Sequence, residues 1–313
     1  MSELIALLDL GSNAARFLLA RVNPGVGYRV LRRERVQTRL GAGIRGHLPQ
    51  EAVDRTLASA SRFLESLGNG NGNGSRPRVM AVATAAVRDA PNRDRLIEPL
   101  RVLGGVEVCV LSGREEARLG ALAALRSLRV RDGVVADLGG GSLQLARIRS
   151  GVVQSVASLP LGAVRTTWRF LASDPPRLSE LRALRQEVRE RVLGVLPPAR
   201  HGDELIGLGG TVRALARLHL EAVSGPRGPR RSRHGLRLHQ SDVTAIRERL
   251  EAVPLRRRRR IRGLKAERAD IILAGAITIE ELMVFGGYLT LTVCKKGVRD
   301  GILWHETFNG GAD

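Results

Sequence analysis

Apolar positions along the first 45 residues come in short runs broken by turn residues: IALLDLGS at 5–12, FLLARV at 17–22 and YRVLRR at 28–33. Runs of this length predict consecutive strands of one sheet. The period then changes. Val53, Leu57, Ala60, Leu64 and Leu67 recur three or four apart, which predicts a helix over 48–67 with Pro49 in its first turn. GNGNGNGS at 68–75 offers no side chain to pack and is expected to be a flexible surface loop. VMAVAT (79–84) and VEVCVLS (106–112) predict buried strands, with a helix and a turn at Pro91 between them. SGREEARLGALAAL (112–125) predicts a helix opened by a capping box. There the Ser112 hydroxyl takes a backbone N–H and the Glu115 carboxylate reaches back. That occupies Glu115 and leaves Glu116 for other work.

From Val134 the order strand, Asp, glycine turn, strand begins again. LDLGSN (8–13) and ADLGGGS (136–142) are one device used twice. ELIGLGGTVRALARL (204–218) adds a third glycine turn after a strand, with a helix from about Thr211. Helices over 182–196, 241–253 and 269–285 and a last strand at 291–297 complete the pattern. The repeated unit predicts an α/β protein of two related halves around a cleft. A chain of 313 residues is long enough for two cores.

The glycine turns carry the first chemistry. A phosphate needs backbone N–H donors brought close, and glycine allows that approach because no Cβ intervenes. Gly11-Ser12-Asn13, Gly139-Gly140-Gly141-Ser142 and Gly209-Gly210-Thr211 each add a hydroxyl donor. Asp9 and Asp137 precede two of them, where a carboxylate can hold Mg²⁺ beside phosphate oxygens. Neither a Walker loop nor a Rossmann G-x-G-x-x-G after a strand occurs.

Charge adds a partner class. Net charge is +20, and of 51 basic residues only Lys265, Lys295 and Lys296 are lysine. Clusters at 227–239 and 256–263 read either as a surface for a polyanion or as solvated faces enriched in arginine by coding bias. With aromatics at 3% and no recognisable motif, no specific nucleic-acid partner is expected. Cys109 and Cys294 are too few for a disulfide framework and lack metal-ligand spacing. The apolar run at 4–8 ends at Asp9 with no cationic flank, and no run approaches the length of a membrane span. A cytoplasmic location is the expectation.

The ordered segments LLDLGSNAARFLLARV, ATAAVRDAPN, VLSGREEARLGALAAL, VVADLGGGSLQLARI, LIGLGGTVRALARL, IRGLKAERADIILAG and KKGVRDGILWHE cover nearly the whole chain. They resemble the successive motifs of the exopolyphosphatase/guanosine pentaphosphate phosphohydrolase (Ppx/GppA) family. The resemblance implies the actin-like ATPase fold: duplicated ribonuclease-H-like domains, here 1–127 and 128–313, with the active site between them. It implies the short form, without a C-terminal helical extension. The implied activity is Mg²⁺-dependent release of terminal orthophosphate from inorganic polyphosphate, or of the 5′ γ-phosphate of guanosine pentaphosphate (pppGpp). The resemblance is compatible with a homodimer.

By motif position, the resemblance makes Glu116 the general base and Arg88 the cation at the terminal phosphate. Without it, Glu116 also reads as a solvent-facing acid at a helix start, and Arg88 as a surface ion pair with Asp89 or Asp94. Asp137 matches the metal-linked acid, with Asp9 in the first motif. Ser12, Asn13, Arg16, Gly139, Gly140, Ser142, Gly209, Gly210, Thr211 and Arg268 match residues of the phosphate cradle. One position departs: where the family pattern has a Glu credited with metal or water positioning, this chain has Gln144. The amide can still ligate Mg²⁺ through its carbonyl but brings no charge. Slow turnover follows, or a site that binds polyphosphate or an alarmone (pppGpp or ppGpp) without hydrolysing it.

Overall fold

A computed structural model describes residues 2–43, 46–68, 76–224 and 232–309. Most of the glycine-rich stretch at 68–75, and part of the basic cluster at 227–239, therefore lie outside the described residues. In chain order the elements are β1 (Glu3–Leu10), β2 (Ala15–Asn23), β3 (Gly27–Val36), α1 (Gln50–Ser66), β4 (Arg78–Ala83), α2 (Ala85–Arg88), α3 (Asp94–Gly104), β5 (Val108–Val110) and α4 (Gly113–Leu125). The second half continues with β6 (Gly133–Leu138), β7 (Leu143–Arg149), β8 (Val152–Leu159), α5 (Ala163–Phe170), α6 (Leu178–Val192), β9 (Glu204–Leu208), α7 (Gly209–Ser224) and β10 (Arg237–His239). Last come α8 (Gln240–Glu251), α9 (Leu255–Arg258), α10 (Ile272–Gly286), β11 (Thr290–Val293) and α11 (Val298–Asn309).

These elements build two mixed sheets with one plan. The first has the order β3-β2-β1-β4-β5, in which β1 to β3 form an antiparallel meander and β4 and β5 run parallel to β1. In the second, β8-β7-β6-β9-β11 repeats that order, with β10 added antiparallel at the far edge. The expected duplicated α/β architecture is therefore present strand for strand. The short segments at β8, α5 and β10 had no reading in the apolar pattern.

Because successive strand side chains face opposite ways, β1 is apolar on both sides. Ala6, Leu8 and Leu10 join a core with Phe63 of α1 and Leu96 and Leu100 of α3, while Ile5 and Leu7 pack with Ile302 and Leu303 of α11. In the second unit, Val134, Ala136 and Leu138 of β6 meet α6, α7, α8 and α10. Helix α10 is buried almost all round, and this explains its near-continuous apolar sequence. Its two acids, Glu280 and Glu281, are held by Arg185 (Nη1 to Glu280 Oε2, 2.9 Å), Arg189 (Nε to Glu281 Oε2, 2.6 Å) and Arg247 (Nε to Glu280 Oε2, 3.0 Å).

The chain divides into residues 1–119 with 298–313 as one compact unit and residues 120–297 as the other. This differs from the expected 1–127 and 128–313, because α11 rejoins the first sheet. The Gly25 N–H donates to Thr307 O (2.8 Å), and the Tyr28 hydroxyl donates to Asp300 (2.6 Å). Gly301 lets the α11 backbone lie on the Leu119 carbonyl of α4, where any Cβ would overlap it. Helix α1 also starts two residues later than its pattern suggests, since Pro49 occupies the N-cap with extended backbone rather than the first turn.

Candidate functional site

In each unit the expected site residues follow the carboxyl ends of parallel strands, the place where open α/β sheets bind ligands. In the first unit the turn 11–13 follows β1, Arg88 closes the short helix after β4, and Glu116 lies in the first turn of α4 after β5. The capping box forms as read: Ser112 N–H donates to Glu115 Oε2 (2.7 Å), and Glu115 N–H donates to Ser112 Oγ (3.2 Å). The Ser112 hydroxyl and backbone bonds hold the Glu115 carboxyl below its usual range. Glu116, buried one residue on, is not left alone. Arg88 forms a short ion pair with Glu116 Oε1 through Nη1, which also donates to Leu111 O (3.0 Å), and Arg88 Nε reaches Asp89 (3.2 Å). The ion pair with Asp89 is thus real but secondary, because the same guanidinium is committed to Glu116.

At the first glycine turn, Asp9 Oδ2 accepts from Arg16 Nη1 (3.1 Å) and lies 3.4 Å from Arg299 Nε. This geometry disfavours the reading of Asp9 as a metal ligand, since two guanidinium groups already neutralise its carboxylate through Oδ2. Burial pushes the Arg299 guanidinium below its usual range, with the nearby Arg16 and Arg33 adding to the effect against Asp9 and Asp300. Asn13 is only 5% exposed, yet neither its side-chain oxygen nor its nitrogen has a hydrogen-bond partner.

In the second unit the turn 139–142 joins β6 to β7. The carbonyls of Gly139 and Gly140 accept from the first N–H groups of α5 (Ala163, 3.0 Å; Val164, 2.8 Å), and Gly141 O accepts from Arg165 Nε (2.8 Å). In a trans peptide the C=O and the next N–H point in opposite directions. The N–H groups of Gly140, Gly141 and Ser142 are therefore aimed away from α5, as a nest of anion donors. Gly162 makes this possible: a Cβ there would overlap the backbone of residues 140–142.

The third turn opens α7, whose first N–H groups have no acceptor within the helix, and Gly209 also bridges to Leu138 of β6. Gly209 has φ +95° and touches Leu138 O, so it needs the left-handed freedom of glycine. At Gly210 the Arg268 guanidinium occupies the space a Cβ would fill. Arg268, read only from its motif, thus comes onto the glycine turn some sixty residues before it.

Asp137 ends β6, and its carboxylate is ringed by glycines. A Cβ on Gly209 would stand 2.9 Å from Oδ1, and Cβ atoms on Gly120 and Gly297 would stand 3.7 and 3.9 Å from Oδ2. Three glycines thus border this carboxylate, and none of them sets a side chain against its oxygens. Gln144 lies directly opposite Asp137 in the β6–β7 pairing, and its Nε2 donates to Ser142 Oγ (2.6 Å) and Ser158 Oγ (3.2 Å). Asp137 and the Gln144 carbonyl are oxygen donors of the kind Mg²⁺ takes, on residues paired in register, whereas Asp9 is already neutralised by arginines. Among the described residues no three or more His, Cys, Asp and Glu side chains gather into a ready-made metal centre.

Comparison with known proteins fixes the class. The model of the Ppx/GppA phosphatase family matches residues 18–308. This chain belongs to that family. Exopolyphosphatase 2 of Mycobacterium tuberculosis is 34% identical over 316 residues, covering 95% of this chain and 97% of that protein. An uncharacterized protein of Streptomyces coelicolor is 35% identical over 318 residues, covering 98% and 91%. The crystal structure of the Aquifex aeolicus Ppx/GppA family member superposes with a TM-score of 0.80 at 27% identity, covering all of both chains.

Within this Ppx/GppA chain the arginine run 256–260 has two characters. Arg256, Arg257, Arg259 and Arg260 are exposed. Arg258 is 3% exposed and donates to the carbonyls of Leu250 (3.0 Å), Val253 (3.0 Å) and Ala269 (3.4 Å). It closes the end of α8, so the run is not one solvated face. No local signal marks Arg299, because it meets Asp9 only through a long-range contact, or Arg258, because its carbonyl partners are set by how the chain turns after α8. No helix among the described residues is long and apolar enough to cross a membrane.

Proposed function

We propose that this chain is an exopolyphosphatase that releases terminal orthophosphate from inorganic polyphosphate by direct attack of water. The observation that carries the reading is the Arg88–Glu116 pair, two residues far apart in sequence joined behind adjacent strands of one phosphatase-family sheet. The Mycobacterium tuberculosis relative named exopolyphosphatase 2 supports the same substrate class.

Glu116 takes the proton of the attacking water, the water oxygen bonds to the terminal phosphorus, and the bridging P–O bond breaks toward the shortened chain. In the resting chain Arg88 neutralises Glu116. A terminal phosphate offers that guanidinium a stronger anion, so substrate binding draws Arg88 away and frees the carboxylate to act as a base. The N–H groups of Gly140, Gly141 and Ser142 and of the α7 start, with Arg268, hold phosphate oxygens. Asp137 and the Gln144 carbonyl would hold Mg²⁺, which when bound would screen the phosphate charge. With an amide in place of a second carboxylate the cation is held by one charge fewer, and turnover is slow for the family.

The test is orthophosphate release from polyphosphate of defined length with Mg²⁺, comparing wild type with Glu116→Gln. Release by wild type that the substitution lowers by two orders of magnitude or more is the expected result. Equal release by both proteins refutes Glu116 as the base. Binding without release by either would favour the polyphosphate- or alarmone-sensing alternative, which Gln144 motivates.

A further inference from the structure

The two strand–Asp–glycine devices are equivalent in register but differ in what faces the acid. Asp137 of β6 lies opposite Gln144 of β7, and Asp9 of β1 lies opposite Arg16 of β2. The same pairing position therefore holds a neutral amide in one unit and a cation in the other. Helix α11 returns to the first unit with Arg299 in its first turn and sets a second guanidinium on the same oxygen of Asp9. Arg35 of β3 is in register directly opposite Arg16, a like-charge placement that destabilises a sheet unless something compensates it. Arg33 is close enough to act electrostatically on Arg299. Two guanidinium groups thus share one carboxylate oxygen, and the acid Asp300 is engaged by the Tyr28 hydroxyl. The adjoining turn holds the buried, unpartnered amide of Asn13, an arrangement that costs free energy unless a ligand satisfies it.

We infer that Asp9 positions Arg16 and Arg299 as an anion-binding pair, and that with Asn13 they take a phosphoryl group of a condensed phosphate. The inference rests on the hydrolytic reading above for its substrate class, and it adds Arg299 as a substrate-binding residue. Each guanidinium has five N–H donors. Asp9 uses one or two of these on each side and leaves the rest, with a net positive charge, for phosphate oxygens. The return of α11 to the first sheet thereby acquires a functional reason beyond packing: it brings Arg299 to Asp9.

The experiment is calorimetric titration of inorganic tripolyphosphate, without magnesium, into protein carrying Glu116→Gln to block hydrolysis. Adding Arg299→Gln is expected to weaken binding about tenfold or more, and to reduce the salt dependence by about one phosphate contact. Arg299→Lys restores part of the loss, since it keeps the charge but not the planar fork. Asp9→Asn keeps both guanidinium groups and is expected to bind at least as tightly as the parent. A folded Arg299→Gln protein with unchanged affinity overturns the inference. Orthophosphate release by the protein without Glu116→Gln separates the two readings. Binding that depends on Arg299 without release refutes hydrolysis and leaves the pair standing. Release with binding indifferent to Arg299 refutes the pair and leaves hydrolysis standing.

Discussion

The neighbouring glycines Gly209 and Gly210 should fail for different reasons when each is changed to alanine. At Gly210 the added methyl would overlap Cζ and Nη2 of Arg268, the mobile end of a long side chain. The backbone need not move, and alanine is the better helix former by about 0.5–1 kcal/mol, so Gly210→Ala is expected to fold with unchanged or slightly raised stability. What it loses is Arg268 at the turn. A charged hydrogen bond to phosphate is worth about 1.5–3 kcal/mol, so KM for polyphosphate should rise about 10- to 150-fold with stability intact. Gly209→Ala meets backbone instead: Leu138 O overlaps the new methyl, Asp137 Oδ1 is 2.9 Å away, and φ is +95°. Strain of about 1–3 kcal/mol plus a backbone shift should lower the urea midpoint and activity together. Urea unfolding and steady-state phosphate release on the two variants check this. Gly210→Ala with wild-type KM would refute the placement of Arg268 as a phosphate ligand.

Three further outcomes follow from particular contacts. Gln144→Glu is expected to fold, since Ser142 and Ser158 can turn their hydroxyls to donate. It should lower the Mg²⁺ concentration for half-maximal activity by about tenfold, and an unchanged requirement would remove residue 144 from the metal site. Arg258→Met leaves the carbonyls of Leu250, Val253 and Ala269 without their donor and should cost about 2–4 kcal/mol in urea unfolding, whereas Arg257→Met, on the exposed face, should cost under about 0.5 kcal/mol. Glu280 gives a pH signature. Burial pushes its carboxyl up, but hydrogen bonds from Arg247 and Thr244 and the charges of Arg247 and Arg185 outweigh this and hold it below its ordinary value. A depressed carboxylate contributes stability that is complete above its unfolded value of about 4.3 and is lost as pH falls through the folded one. The stability difference between wild type and Glu280→Gln should therefore shrink below about pH 4.3; a pH-independent difference would contradict the ion-pair account.

Much of this was legible in the chain because the physics is local. The capping box of Ser112 and Glu115 spans three residues, and the strand–Asp–glycine devices each fit within one turn. Both are therefore written in short stretches, as are the alternating apolar runs that make β1 and β2. The repeat of LDLGSN in ADLGGGS announced the duplication, and the motif order announced the family. Short elements such as α5 and β10 were not legible, since three to eight residues carry no period; packing on neighbours fixes them.

Other features exist only because distant segments meet. The pairing of Arg88 with Glu116 and the placing of Arg268 on Gly210 both depend on crossover connections that set separate loops on one sheet edge. The burial of Arg258 within an arginine run depends on where the end of α8 falls, and no count of charges can reveal that. The role of Asp9 turned most on tertiary structure. In sequence it is the twin of Asp137, but cross-strand register sets Arg16 against it and the returning α11 adds Arg299. The sequence by itself therefore determined the class, the duplication and the glycine turns, all of which depend on neighbours in the chain. That Asp9 meets two guanidinium groups was decided by charges brought together from the two ends of the chain, and only the fold sets that distance.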